Sequence, residues 1–365
     1  MDNGGKIYVG LWSQSTNVTD EIMESTNYSK SFKLLTNFTQ SEFNGKEPSI
    51  SQIISSPSNY QILWAILDSP YPAEWVGNPS LFRSINGGET WQMVNTSLVG
   101  LGSQQEPPSF ITFDPENGSI IYLTGLGGLY KSTDGGNHFF KINEPQDSSF
   151  LGMVNVDPYN DDIVFLCSES GLFESVDQGN SWSSISNFSS NLLFDVATDN
   201  QNVFATDEGL SPLYSNDLGR NWTTITRGYV GVVAVDPYNS SIVIMWTETH
   251  TTAGGPFFFV SNDGGNSFFL PSINFTAEIN PSVDNIAFSN GEIFVPGGTG
   301  IFSSTDSGAT WSLLENSPRN ASTVVDSPSE KTFSTQLITL ASTNQPIMGC
   351  LGVLSTVMVV STLSP

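Results

Sequence analysis

The 365-residue chain is predicted to be all-β, a single seven-bladed β-propeller of four-stranded antiparallel blades. Three observations carry this prediction. One short turn recurs seven times, each copy sits in the same succession of short strands, and the chain opens part-way through a unit that its own C-terminal region can complete.

The best copies of the turn place Ser132, Asp134, Gly136 and Phe139, then Ser175, Asp177, Gly179 and Trp182, then Ser304, Asp306, Gly308 and Trp311 at positions one, three, five and eight. Further copies start at Ser84 (Asn86, Gly88, Trp91), Ser215 (Asp217, Gly219, Trp222) and Ser261 (Asp263, Gly265, Phe268). A degenerate copy starts at Ser25, with Asn27, Ser29 and Phe32 in the matching places. Starts at 25, 84, 132, 175, 215, 261 and 304 are 59, 48, 43, 40, 46 and 43 residues apart. A period of roughly 40–50 residues in an all-β chain reads as propeller blades. The third-position Asp or Asn can accept bonds from the backbone N–H groups that follow it. The fifth-position Gly supplies the positive φ of a tight turn. The eighth-position aromatic opens the next strand and can wedge between sheets.

The other elements follow in order around this turn. An inner strand ends in an Asp-Pro anchor, as in Ile111–Pro115, Val154–Pro158 and Val233–Pro237. A β-branched second strand follows, as in Ile120–Leu123, Ile163–Leu166 and Ile242–Met245, then a Gly-rich link into a third strand such as Gly128–Ser132 or Gly171–Ser175. The segment after the turn, such as Phe139–Ile142, makes the outer strand. Weaker inner strands are expected near Gln52–Ser55, Leu192–Val196 and Val283–Phe288. Period-two alternation with Gly, Pro and Asn punctuation favours strands throughout, without a helical stripe. The chain opens on Lys6–Leu11, which matches a second strand, while Ser322–Pro328 matches an inner strand with its anchor. The C-terminal segment is therefore expected to close the ring in blade one, removing exposed edges. This gives a propeller over 1–340 and an apolar, β-prone tail over 341–365.

The Ser-x-Asp-x-Gly-x-Thr-Trp pattern resembles the Asp-box, or bacterial neuraminidase repeat, of sialidases, sortilin-type receptors, xyloglucan-degrading glycosidases and a photosystem II assembly factor. The resemblance implies that the boxes lie at the blade periphery, away from the central site. Asn27, Asn86, Asp134, Asp177, Asp217, Asp263 and Asp306, with Trp91, Trp182, Trp222 and Trp311, are accordingly read as structural.

Eleven Lys plus Arg against 36 Asp plus Glu give a net charge of −25, although only 13% of residues are charged. So few cations argue against nucleic acid and anionic membranes as partners. In an acidic medium many carboxylates would be protonated and the surface nearly neutral, which suits an acidophile's exterior. Sequons at Asn17, Asn27, Asn37, Asn95, Asn117, Asn187, Asn221, Asn239, Asn274 and Asn320 suit an exported glycoprotein at the cell surface or outside the cell. No secretory leader precedes Lys6, so a leader has either been removed or never existed. Cys167 and Cys350 read as thiols rather than a disulfide. His138 and His250 cannot form a metal cluster without carboxylates, and no metal or cofactor is expected.

Ile347–Leu363 contains no charge, Asn, Gln or Pro. It is short for a membrane span and lacks flanking cations, and Val353, Val357, Val359 and Val360 suit a strand. A strand packed on this or a neighbouring subunit is expected ahead of a membrane anchor, and donation to the next copy would build a homo-oligomer or filament.

A sialidase of the superfamily grips its substrate carboxylate with three arginines. Arg83, Arg220, Arg227 and Arg319 are the whole inventory, and the first two belong to box segments, so three cannot converge on the centre. The xyloglucan-degrading enzymes pair two propellers, whereas this chain has one and no counterpart of their N-terminal catalytic segment. Candidate ligand residues lie on the loops joining second to third strands: Asp68, Tyr71, Glu74 and Trp75; Asp207 and Glu208; Trp246, Glu248 and His250. Aromatics mixed with carboxylates suit sugar stacking and hydroxyl bonding. The expected function is a non-enzymatic propeller that binds a glycan or a protein surface or assembles with itself. The alternative is a single-propeller glycoside hydrolase using loop carboxylates, which would need two of them across a sugar.

Overall fold

The computed structural model describes residues 6–11, 21–26, 31–37, 49–68, 81–94, 108–125, 127–145, 151–168, 170–185, 193–199, 202–207, 212–225, 232–236, 239–247, 257–271, 286–289, 291–297, 299–319, 321–327 and 337–338. They form seven antiparallel sheets arranged as a seven-bladed β-propeller, without a helix among the described residues. Blade three shows the plan: inner strand Pro108–Phe113, second strand Ile121–Gly125, third strand Gly128–Ser132 and outer strand Phe140–Lys141. Blade four repeats it with Leu151–Val156, Val164–Ser168, Gly171–Ser175 and Ser183–Ser184. Blade five uses Leu193–Asp199, Asn202–Asp207, Leu213–Ser215 and Thr223–Thr224. Blade seven uses Ala287–Ser289, Glu292–Gly297, Gly300–Ser304 and Ser312–Leu313.

Blade one joins the two ends of the chain. Ala321–Ser327 supplies its inner strand beside Lys6–Leu11, with Ile7 opposite Asp326 and Val9 opposite Val324, and Glu21–Ser25 and Lys33–Asn37 follow outward. This is the closure expected from the missing inner strand at the N-terminus.

Two blades depart from four strands. Blade six has Val232–Val235, Val243–Thr247 and Phe257–Ser261, and its fourth strand shrinks to one bridge between Val260 and Phe269. Elsewhere a further backbone bond extends the outer strand: Val94 N–H to Leu81 C=O, Ile142 to Leu129, Ile185 to Leu172, Ile225 to Pro212 and Leu314 to Ile301. The matching residue in blade six is Pro271, which has no N–H to donate. Blade two contains Ser49–Ser56, Asn59–Asp68, Leu81–Ser84 and Gln92–Met93, and gains a fifth strand because Leu337–Ile338 pairs with Gln52 and Ile53 on its inner edge. The chain leaving the inner strand of blade one emerges beside that edge, whose backbone groups would otherwise be unpaired.

The core lies between blades. Tyr8 and Ile22 meet Ile53 and Leu63; Trp64 and Ile66 meet Ile111, Leu123 and Phe139; Tyr122 and Leu129 meet Val156 and Leu166. Phe165 and Leu172 meet Val203 and Ala205; Phe204 meets Val233 and Met245; Ile244 and Val260 meet Phe288 and Val295. Ile7 and Val9 meet Phe294 and Ile301, which brings the packing full circle. Successive side chains of a strand point to opposite faces. Val164 and Leu166 therefore pack toward blade three while Phe165 and Cys167 pack toward blade five. Both faces of the second strands are buried, which is why those strands are continuously apolar instead of alternating.

Candidate functional site

The recurrent turns repeat one hydrogen-bond pattern. In blade three the Ser132 hydroxyl accepts the N–H of Asp134 at 3.3 Å and of Gly136 at 2.9 Å, and donates to Asp134 Oδ1 at 2.9 Å. Asp134 Oδ1 accepts the N–H of His138 at 2.9 Å, and Oδ2 meets His138 Nδ1 at 2.7 Å. The seventh position supplies the second partner in the other blades too: Ser181 Oγ to Asp177, Asn221 Nδ2 to Asp217, Ser267 Oγ to Asp263 and Thr310 Oγ1 to Asp306, each at 2.6 Å. In blade two Asn86 keeps the pattern by accepting from Ser84 and the Thr90 N–H and donating Nδ2 to Thr90. The partners at position seven hold the carboxyls of Asp177, Asp263 and Asp306 below the usual carboxylate range, and Asn221 holds Asp217 at about 2. The sequence pattern contained the serine and the seventh-position side chain but did not assign their hydrogen bonds to the turn. In blades two to seven the seventh position is always a side chain able to donate, namely Thr90, His138, Ser181, Asn221, Ser267 or Thr310.

These turns also join neighbours. Tyr8 and Tyr122, on second strands of blades one and three, donate their hydroxyls to the carbonyls of Gly87 and Gln178 in the turns of the next blades. Trp182 and Trp222 donate their indole N–H to Asn143 and Ile185 of the preceding blades. Arg83 donates to Asn137 at 3.1 Å and lies over the Trp64 ring at 5.4 Å, where burial lowers its pKa.

The turns between inner and second strands share a face with these boxes. Gly135 N–H donates to Ser119 C=O, Gln178 to Asp162 and Gly264 to Ser241, at 2.9, 3.0 and 2.9 Å. The anchor aspartates cap the inner turns: Asp114 accepts the amides of Glu116 and Asn117, and Asp157 accepts that of Tyr159. Burial pushes the Asp114 carboxyl up to about 6. Glu24, a further buried carboxylate, is paired with Lys6 at 2.9 Å and Lys33 at 3.5 Å.

Three of the nine candidate ligand residues, Asp68, Asp207 and Trp246, belong to the opposite face. Asp68 and Asp207 end the second strands of blades two and five, and Trp246 lies one residue from the end of that of blade six. Antiparallel order puts all three strand ends on the face away from the boxes. Tyr71, Glu74, Trp75, Glu208, Glu248 and His250 lie outside the described residues, as do Asn27 and the tail over 341–365. Asp68, Asp207 and Trp246 thus share a face as strand ends. Among the described residues, no three His, Cys, Asp or Glu converge as metal ligands, and no helix is long and apolar enough to cross a membrane.

No family model matches the chain, and no curated protein matches it. Solved structures do share its fold. A GH74 enzyme from Niastella koreensis aligns at 16% identity over 94% of this chain and 72% of its own, with a TM-score of 0.54. YCF48 from Cyanidioschyzon merolae aligns at 16% identity over 80% of this chain and 92% of its own, with a TM-score of 0.52. A structure of YCF48 bound to D1 peptide aligns at 16% identity over 80% and 91%, with a TM-score of 0.54. The fold is thus that of the seven-bladed propellers of GH74 enzymes and YCF48, one set catalytic and the other found with a peptide.

Proposed function

We propose that this is an exported Asp-box propeller of the cell surface that binds a protein or glycan on the face opposite its boxes, assembles with itself through its tail, and does no chemistry. The observation that carries the reading is how three of the four buried carboxylates among the described residues are used. Asp114 and Asp157 cap turns, and Glu24 neutralises two lysines. Among the described inner strands, carboxylates occur only in blade one, at Asp326, and in blade five, at Asp195 and Asp199. A glycosidase needs two facing acids, one of them free to give up a proton. Peptide binding by a similar propeller, in the YCF48 structure, supports the binding reading.

The test is a panel of glucans, xyloglucans and sialosides assayed for new reducing ends, with Glu74→Gln and Glu248→Gln variants alongside. No turnover is expected from any of the three proteins. Turnover abolished by either substitution would establish the hydrolase reading instead. Deleting 346–365 should convert an assembled particle into a folded monomer by light scattering, because Ile347–Leu363 would otherwise leave its apolar side chains in water at about 25 cal/mol per Å². A truncated protein that kept the parent's oligomeric state, or lost its fold outright, would assign the tail to its own ring.

A further inference from the structure

The Asp-Pro turns present three asparagines identically. Asn117, Asn160 and Asn239 each lie three residues after the anchor aspartates Asp114, Asp157 and Asp236. Each Oδ1 accepts the backbone N–H two residues on, from Ser119 at 3.1 Å, Asp162 at 3.2 Å and Ser241 at 3.2 Å. Asn117 and Asn239 are exposed, and neither Nδ2 has a hydrogen bond among the described residues. Both are sequons, Asn117-Gly118-Ser119 and Asn239-Ser240-Ser241, whereas Asn160-Asp161-Asp162 is not.

A third described sequon behaves differently. Asn221 is exposed, but its Nδ2 donates to Asp217 Oδ2 at 2.6 Å and its N–H to Oδ1 at 2.8 Å. Its Thr223 is held in the outer strand of blade five, opposite Tyr214. Modifying Asn221 would replace a charge-assisted bond that closes the turn.

We infer that Asn117 and Asn239 are N-glycan acceptor sites of the folded protein and that Asn221 is not. Use of the sites in the cell rests on the export reading above. In the transfer, Nδ2 attacks the anomeric carbon of a polyprenyl-diphosphate-linked oligosaccharide. The C–O bond to the diphosphate breaks, an N–C bond forms, one Nδ2 proton passes to a base of the transferase, and polyprenyl diphosphate leaves. Both acceptors lie on the box face, so the glycans would sheathe that side and leave the opposite loops open for a partner.

The folded full chain, a purified oligosaccharyltransferase and a lipid-linked oligosaccharide test this, with occupancy read by glycopeptide mass spectrometry. Synthetic peptides spanning each sequon confirm that the enzyme accepts all three sequences. In the folded protein, modification of Asn117 and Asn239 is expected, with Asn221 at least tenfold less occupied. The Asp162→Thr variant completes a sequon at Asn160 in the same geometry and should gain a glycan there. Equal occupancy at Asn221, or unmodified Asn117 and Asn239 in a chain whose peptides react, would overturn the assignment. Recovering the protein from the cytosol of its own cells would count against export alone, since the transfer in vitro does not depend on where the protein resides.

Discussion

At the scale of single residues, the box glycines answer two separate demands that a sequence pattern merges into one. Gly135 and Gly136 both have positive φ, +71° and +83°. A Cβ on Gly135 would meet nothing nearer than the Gly118 carbonyl at 4.0 Å, whereas on Gly136 it would lie 2.3 Å from Cζ2 of Trp64 in the preceding blade. Gly135→Ala should therefore cost only the left-handed backbone penalty of about 1–2 kcal/mol. Gly136→Ala adds overpacking against a fully buried indole, about 1–3 kcal/mol more. Denaturant unfolding of the two variants separates the terms, and equal losses would show that the Trp64 contact carries no weight. Turn conformation was legible in the Ser-x-Asp-x-Gly spacing. The Trp64 contact was not, because it joins residues 72 positions apart whose pairing depends on the stagger of two blades.

At the scale of the strand and blade, what can be read from sequence depends on whether the signal is local. The apolar second strands and the Asp-Pro anchors stand out because each is a contiguous run. Blade six loses its fourth strand through one residue, Pro271, that looks innocuous until its register with Phe258 is known. Ile occupies the equivalent place at 142, 185 and 225. Pro271→Ile should supply the missing N–H to the Phe258 carbonyl and stabilise the blade by about 1 kcal/mol. Slowed hydrogen exchange at position 271 would verify the bond, and a variant that exchanged freely would place the fault elsewhere in the loop. A second inter-blade device was equally hidden. Fully buried Gln52 donates Nε2 to the Ile111 carbonyl at 2.6 Å and accepts the Ile111 N–H at 2.9 Å, so one side chain acts as a strand for the next blade. Gln52→Leu should leave two buried backbone groups unpaired, at about 1–3 kcal/mol each, and lower the denaturation midpoint accordingly. The candidate ligand residues Asp68, Asp207 and Trp246 were legible only as strand ends, since loops carry no periodicity to fix their side chains.

At the scale of the molecule, the carboxylates set a stability profile with two opposing arms. Asp177, Asp217, Asp263 and Asp306 titrate below their unfolded values, Asp217 at about 2. Between that value and about 4 the unfolded chain binds more protons than the folded one, so stability rises with pH through this window. Their contribution is complete above about 4 and is lost as pH falls through the folded values. Asp114 has the reverse sign. Burial raises it to about 6, so between about 4 and 6 the folded chain holds the extra proton and stability declines as pH rises. The net charge of −25 acts in the same direction at neutral pH, because mutual repulsion grows as the acids ionise. The melting temperature is therefore expected to peak near pH 4–5 and to fall on both sides. Asp114→Asn would keep the acceptor oxygen but remove the titration, and should flatten the neutral arm while leaving the acid arm in place. Calorimetry from pH 2 to pH 8 checks both. A wild-type maximum at neutral pH would show that the buried anchor carboxylate does not govern the profile, and would remove the physical reason for placing this surface in an acidic medium.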